Sequence, residues 1–155
     1  MSAAFNLKAK THTIRSISSE ETYPVRHPVL RKGRPLESSR FDNDDLESTF
    51  HLGLFLDEKL VGVATFLKNE HTLFSEEDQY QLRGMAVLEA YQGHSIGKNL
   101  MLAGEQRLND INAERLWFNA RIIAVDFYKK LGYQTVGERF EIAGVGDHYI
   151  MTKLL

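Results

Sequence analysis

A glycine-rich turn joins two clear secondary-structure patterns near the middle of the chain. The pattern of residues 80–88 is typical of a strand, and residues 95–109 repeat apolar residues at helical spacing, with Ser95 as the predicted N-cap. The turn between them contains Gly93 and Gly97. Successive backbone N–H groups that lead into a helix N-terminus form a concave site for phosphate groups. The segment therefore predicts a pyrophosphate-binding loop.

The other patterns extend this segment into a β-α-β-β-β-α-β-α-β-β order, which predicts an α+β fold. We expect a mixed, mostly antiparallel central sheet flanked by helices, in a single domain over residues 1–155. The predicted strands lie near residues 9–18, 51–56, 60–67, 80–88, 116–118, 134–142 and 147–154. The predicted helices are residues 19–32, interrupted by Pro24 and Pro28, residues 95–109, and a stripe made of Ala124, Phe127, Tyr128 and Leu131, which ends at Gly132 as the C′ residue.

Composition excludes several classes of protein function. The chain has 155 residues, no cysteine and a formal charge of -2, so neither a disulfide framework nor a basic nucleic-acid surface is expected. No apolar run reaches the ~20 residues of a membrane span, and residues 1–8 lack a secretory signal pattern, which favours a cytoplasmic protein without a membrane or nucleic-acid partner. No metal site is expected, because metal-ligand spacing is absent among His12, His27, His51, His71 and His94.

Charge is concentrated in one stretch. Basic residues come first and acidic ones follow, namely Arg26, His27, Arg31, Lys32 and Arg34, then Asp42, Asp44, Asp45 and Glu47. One interpretation is a solvated helix and loop whose charges partly cancel. The other is a cationic wall for an anionic ligand. Residues 33–47 are predicted to form a long loop.

Two other activities compete for the glycine-rich turn. Gly93-His94-Ser95-Ile96-Gly97 fits the G-x-S-x-G nucleophile elbow of serine hydrolases, although residues 89–92 separate Ser95 from the strand. Gly97-Lys98 looks like the end of a P-loop, but Gln92 and Asn99 occupy positions that require Gly and Ser or Thr. The hydrolase stays open as an alternative, and the P-loop pattern fails at both ends.

Two motifs together resemble the GNAT superfamily of N-acetyltransferases. The family pattern [QR]-x-x-G-x-[GA] is similar to residues 92–97, with Gln92 and Gly97 matching and Ser95 in place of the central Gly. Residues 124–133 are similar to the family's A-x-x-x-Y-x-x-x-G-[FY] helix. Residues 82–87 resemble its splayed central strand.

The resemblance implies acetyl transfer from acetyl-CoA, a co-substrate, to a primary amine of a small molecule or peptide. It implies that backbone groups of Met85, Ala86 and Val87 contact the pantetheine and the thioester. The pyrophosphate would lie on Gln92, Gly93, His94, Ser95, Ile96, Gly97 and Lys98. Arg121 stands where many members have Asn, so we expect Asn119 or Arg121 to supply that CoA contact.

The resemblance also implies catalytic candidates. Tyr128 matches the tyrosine near the leaving thiolate. Gln81 replaces a carboxylate that acts as base in some members, which leaves Glu141 and His148 on the final hairpin as candidate bases. Arg31 and Arg34 would lie on the acceptor side and favour an acceptor that carries a carboxylate or phosphate. A non-catalytic CoA-binding regulator stays an alternative, and the fold is compatible with a homodimer.

Overall fold

The computed structural model describes residues 10–155, which form seven strands and three α-helices. Residues 1–8, which carry the prediction about a secretory signal, lie outside the described range. The elements in chain order are β1 His12–Ile17, α1 Tyr23–Leu30, β2 Phe50–Leu56, β3 Lys59–Lys68, β4 Gln79–Val87, α2 Ile96–Asp110, β5 Arg115–Arg121, α3 Val125–Lys130, β6 Gln134–Ile142 and β7 Gly146–Leu154. The predicted element order is confirmed. Among residues 10–155, no helix is long and apolar enough to cross a bilayer.

The strands form one mixed sheet in the order β1-β2-β3-β4-β5-β7-β6. The pairs β1/β2, β2/β3, β5/β7 and β6/β7 are antiparallel, whereas β4 and β5 run parallel. The register of that parallel pair joins residues 79–81 to residues 115–117, three positions of two longer strands. This short register agrees with the predicted splayed central strands, and the predicted α+β class is confirmed.

The topology differs from that of the serine hydrolase alternative. An α/β-hydrolase alternates parallel strands with helices ahead of its nucleophile, whereas β1, β2 and β3 are consecutive antiparallel neighbours. A 3₁₀ turn at Glu89–Tyr91 also separates β4 from Ser95. The elbow pattern around Ser95 is therefore a coincidence of sequence.

The described chain divides into two compact units. Unit 1 contains residues 10–67 and 83–107. Its helix α2 packs on β3 through Gly104, where an added Cβ would overlap the ring of Phe66. The Phe66 ring in turn stacks on Phe50, with centroids 5.0 Å apart.

Unit 2 contains residues 68–82 and 108–155. Helix α3 ends as predicted, with Gly132 at φ +95°. The N–H of Gly132 donates to the carbonyl of Lys129 (3.0 Å) and the N–H of Tyr133 to that of Tyr128 (3.1 Å), which is the Schellman arrangement. The predicted apolar stripe was wrong at one position, because Phe127 is 38% exposed.

The first helical segment is divided just before Pro24 but not at Pro28, where an interruption was also predicted. A 3₁₀ turn at Glu20–Thr22 precedes α1, and Pro28 lies inside α1. Ser18 caps this segment, because its Oγ accepts from the N–H of Glu21 (3.2 Å) while Oε1 of Glu21 accepts from the N–H of Ser18 (3.0 Å). These hydrogen bonds hold the pKa of Glu21 below its usual value.

Candidate active site

Strand β4 is distorted at Gly84, just before Met85, Ala86 and Val87. Gly84 has φ +62°, and an added Cβ would lie 3.0 Å from Cε2 of Phe41 and 3.1 Å from Nε of Arg26. Two side chains therefore approach the backbone closely at this glycine. Only glycine fits both the backbone angle and the space, so the distortion is built into the sequence.

The backbone N–H groups of the loop after β4 continue into the first turn of α2. Gly93 has φ +83° and Ser95 has φ +64°. Within the described residues, the first backbone-bonded N–H after that of Gln92 belongs to Asn99, which donates to the carbonyl of Ser95 (3.0 Å). The N–H groups of residues 93–98 therefore remain open to an external acceptor, as the first N–H groups of a helix do. No atom lies within 4 Å of the place where a Cβ on Gly93 would stand.

The side chains of this loop have different surroundings. Gln92 donates from Nε2 to the carbonyl of Val87 (2.9 Å), so it holds the loop against the end of β4. Ile96 is buried, and it packs where a Cβ on Gly62 would be only 2.6 Å away. Ile96 can thus offer a ligand only its backbone. His94 and Lys98 are exposed.

Tyr128 lies in unit 2 inside an aromatic cluster. Its ring is 4.4 Å from the Phe118 ring and 6.1 Å from the Tyr133 ring, measured between centroids. Burial raises the pKa of Tyr128 to about 12. The phenol consequently keeps its proton throughout the physiological range.

His148 lies on β7 with one ring nitrogen fixed. Its Nδ1 is 2.7 Å from the carbonyl oxygen of Gly146, and its ring stacks on Phe140 with centroids 5.9 Å apart. A carbonyl can only accept, so Nδ1 carries a proton, and Nε2 of the neutral ring holds a lone pair. His148 is only 4% exposed.

The register of unit 2 separates the candidate catalytic side chains by sheet face. His148 pairs with Phe140 and Arg121, whereas Glu141 pairs with Asp147. Paired residues share a face and neighbouring residues alternate, so His148 and Glu141 point to opposite faces. The two candidate bases are therefore not brought together.

The same alternation places the predicted CoA contacts of β5. Asn119 and Arg121 are exposed and lie on the His148 face, because Arg121 pairs directly with His148. Phe118 faces the other way, towards Tyr128. Tyr128 and His148 therefore lie on opposite faces of the strands of unit 2.

Gln81 occupies the position of the carboxylate that acts as base in some family members, and its side chain is hydrogen-bonded to Asn69. Oε1 of Gln81 accepts from Nδ2 of Asn69 (2.9 Å), and the carbonyl of Asn69 accepts from the indole N–H of Trp117 (2.9 Å). The ring of His71 contacts Trp117 edge-on, with centroids 4.9 Å apart. This cluster holds the segment after β3 on the Trp117 side of unit 2.

Unit 1 contains a buried polar network that the sequence did not reveal. Arg26 is fully buried and forms a bidentate pair with Asp44, with N–O distances of 2.6 and 3.0 Å. It also donates to the carbonyl of Ser39 (2.9 Å) and to Oγ1 of Thr65 (2.7 Å). The solvated interpretation of the charged segment is wrong for this pair. Charge patterns do not show burial, and only the position of Arg26 on the inner side of α1 reveals it.

His51 completes this network as a neutral ring. Its Nε2 lies 2.9 Å from the carbonyl of Asp44, and its Nδ1 lies 2.7 Å from Oγ1 of Thr65. A donor at Nε2 and an acceptor at Nδ1 satisfy both contacts. Burial lowers the pKa of His51, which keeps the ring neutral.

The two predicted acceptor-side arginines lie at the C-terminal end of α1 and after it. Arg31 donates from Nε to the carbonyl of Ser38 (3.1 Å) and from Nη1 to that of Leu30 (3.0 Å). Arg34 is exposed, and its carbonyl lies 2.7 Å from Nε2 of His27. Arg31 thus helps to fold the loop, whereas Arg34 extends to solvent.

Comparison with known proteins agrees with this architecture. The sequence model described as "Acetyltransferase (GNAT) family" matches residues 12–133. The chain belongs to the GNAT acetyltransferase family. It is 38% identical over 142 residues to the uncharacterized N-acetyltransferase YitI of Bacillus subtilis (strain 168), covering 92% of this chain and 95% of YitI. This GNAT chain is therefore an acyltransferase.

Solved GNAT structures share the fold at low sequence identity. The ribosomal-protein-S18-alanine N-acetyltransferase from Escherichia coli has a TM-score of 0.74 at 19% identity, over 93% of this chain and 94% of that one. An aminoglycoside 6'-N-acetyltransferase complexed with coenzyme A has a TM-score of 0.73 at 13% identity, over 92% and 96%. Within the described residues, no group of three or more His, Asp or Glu side chains is placed to hold a metal ion.

Proposed function

We propose that this GNAT protein transfers an acetyl group from acetyl-CoA to a primary amine of a small molecule or peptide, by direct attack in a ternary complex. The observation that carries the proposal is the row of open backbone N–H groups at residues 93–98, which leads into α2. Such N–H groups at a helix start suit a pyrophosphate, and Gly93 leaves room for its oxygens.

The loop and the end of β4 would bind different parts of acetyl-CoA. Residues 93–98 offer N–H groups to the pyrophosphate, and Lys98 adds a positive charge. Gln92 acts by fixing the loop to Val87. The backbone groups of Met85, Ala86 and Val87 would align the pantetheine, and Asn119 and Arg121 would supply the further CoA contact that the family resemblance implies.

Acetyl-CoA supplies a thioester carbonyl that a neutral amine can attack. In our proposal, Tyr128 donates a hydrogen bond to the sulfur that leaves. The pKa of about 12 keeps the phenol protonated, so it can stabilise the thiolate without having to lose its proton completely. Fixed backbone N–H groups near Met85 would stabilise the charge that develops on the carbonyl oxygen.

His148 is our proposed base for the amine, in preference to Glu141. Its Nδ1–H is held by Gly146, so Nε2 is the nitrogen that can take a proton. Glu141 is exposed, and no hydrogen bond from a described residue orients its side chain.

A pH profile tests His148. We expect His148→Ala to lower kcat/KM at least tenfold and to flatten the acid limb of its pH dependence, because the proton acceptor is lost. His27→Ala, which removes a histidine from α1 in unit 1, serves as the control and should keep the wild-type profile. An unchanged acid limb in His148→Ala would remove this residue from the mechanism.

Thermal unfolding with acetyl-CoA tests the binding loop. At about 100 times its Kd, a ligand of the native state adds roughly 2.7 kcal/mol of stability, so Tm should rise, and ATP at equal concentration should not reproduce the rise. Gly93→Ala should reduce the rise, because it adds a Cβ where phosphate oxygens would approach.

Gly33→Ala is the matched control for Gly93→Ala. Gly33 has a similar φ of +80° and equally open surroundings, so it carries the same backbone strain away from the loop. Its acetyl-CoA shift should equal that of the wild type. No shift in the wild-type protein at millimolar acetyl-CoA would overturn the proposed function.

A further inference from the structure

Three guanidinium groups surround one aromatic ring in unit 1. Cζ of Arg26, Arg31 and Arg83 lies 4.1, 4.6 and 5.6 Å, respectively, from the centroid of Phe41. We call Arg26, Arg31 and Arg83 the arginine cluster. The three residues come from α1, its C-terminal end and β4, so the fold, and not a local sequence run, assembles the cluster.

The contacts of Arg83 do not balance its charge. Arg26 is ion-paired with Asp44. Arg83, by contrast, reaches only the carbonyl of Asp42, at 3.5 Å, among the described residues. Carbonyl dipoles stabilise a cation but do not cancel its charge. An anion placed here would be attracted by charges that the protein has already brought together.

An unsatisfied buried donor marks the inner side of the cluster. Nε of Arg26 has no hydrogen-bond partner among the described residues, although the side chain is fully buried. It faces the space left by Gly84, since a Cβ there would be 3.1 Å from this nitrogen. Buried donors without a partner are rare and call for an acceptor atom, from water or from a ligand.

We propose that the arginine cluster receives an anionic group of the acceptor, so that the substrate is an amine carrying a carboxylate a few bonds away. This inference rests on the proposed acetyl transfer. Arg83 is the residue through which the cluster reaches the ligand, because it is only partly buried and makes a single long contact. A guanidinium can form a bidentate pair of hydrogen bonds with a carboxylate, which a substrate without a carboxylate cannot form.

The position of Arg83 sets the length of the acceptor. It lies two residues before Met85, where β4 would present backbone groups to the thioester, and two extended residues span about 7 Å. A carboxylate held by Arg83 therefore places an amine that is a few bonds away near the acetyl group. Amino acids with short spacers meet this requirement, whereas a long diamine has no group for the cluster.

Matched acid and amide acceptors test the proposal. Glycine, β-alanine and 4-aminobutyrate would each be compared with its own amide as acetyl acceptor for the full-length protein. We expect at least one acid to exceed its amide by roughly tenfold or more in kcat/KM, the size of effect typical of a charge-assisted hydrogen bond. The preference should arise mainly from KM. Equal rates for all three pairs would overturn the proposal and leave the acetyltransferase function intact.

Variants of Arg83 identify the group responsible. Arg83→Gln should abolish the acid preference, because the guanidinium that would pair with the carboxylate is lost, and Arg83→Lys should restore part of the preference by keeping the charge. Lys32→Gln, which removes an exposed charge from the neighbouring segment, should keep the full preference. An acid preference that survives in Arg83→Gln would contradict the assignment.

A binding measurement separates failure of this inference from failure of the proposed function. Thermal shifts with the same three acids and amides, each added together with CoA, need no turnover. A shift for an acid that exceeds its amide in the wild type, but not in Arg83→Gln, supports the site even if none of the six amines is acetylated. Equal shifts for acids and amides would reject it. The acetyl-CoA shift, measured alone, reports on the proposed function independently.

Discussion

At the scale of single residues, Ser95 is where this chain departs most clearly from its family pattern. The pattern has Gly at this position, and the structure explains why, since Ser95 has φ +64°. A residue with a Cβ is strained by roughly 1 kcal/mol or more in that region. The Ser95 hydroxyl forms no hydrogen bond with any described residue that would compensate.

We expect Ser95→Gly to raise the free energy of unfolding by about 0.5–1 kcal/mol, because relief of strain exceeds the added entropy of the unfolded chain. Urea unfolding checks this value. Ser95→Ala is the control, because it removes the hydroxyl but keeps the strain, and should not be stabilised. Acetyl transfer should persist in both variants. A loss of activity with retained acetyl-CoA binding would instead show that the hydroxyl takes part in the chemistry.

The candidate site also shows, residue by residue, what the sequence could predict. The open N–H groups of residues 93–98 were predictable, because they depend on local backbone and glycine spacing. The separation of His148 and Glu141 onto opposite faces was not, because it depends on the register between β6 and β7. Arg83 was missed for a similar reason. Its partner Phe41 lies 42 positions away in sequence, and no local pattern links the two.

At the scale of elements, the strands and the helix ends were predicted better than the side of a helix that is buried. The C-terminus of α3 followed from Gly132, which fixes the Schellman turn by its own backbone freedom. The stripe through Phe127 was wrong, because Ile122–Ala124 form a 3₁₀ turn with three residues per turn. A stripe counted from Ala124 at 3.6 residues per turn therefore starts out of phase. Val125 and Tyr128 become the buried positions instead.

The first helix shows how tertiary contacts override local preference. Pro28 should interrupt a helix, because it removes one N–H and clashes with the preceding turn. The α-helix nevertheless runs from Tyr23 to Leu30. Arg26, in its central turn, forms a bidentate pair with Asp44 and contacts Ser39 and Thr65. These buried bonds hold the turn in place, and sequence patterns alone give no sign of them.

At the scale of the whole molecule, the buried network of unit 1 couples stability to pH through His51. Burial lowers the pKa of His51 below its unfolded value of about 6.5, although the charges of Asp44 and Asp45 oppose that shift. The unfolded chain therefore binds the proton more readily than the folded one. Stability is full above about pH 6.5 and is lost as the pH falls from there towards the folded pKa.

We expect the free energy of unfolding to fall more steeply between pH 7 and pH 5 in the wild type than in His51→Gln. Each proton taken up on unfolding contributes a slope of up to about 1.4 kcal/mol per pH unit. Glu76, whose pKa is lowered by its hydrogen bond with Arg115, remains in both proteins, so its own acid loss cancels when the two curves are subtracted. Urea unfolding at half-unit intervals from pH 8 to pH 5 gives that difference. Parallel curves would show that His51 is protonated as easily in the folded chain as in the unfolded one, in which case the neutral ring assigned to the Arg26–Asp44 network would be wrong.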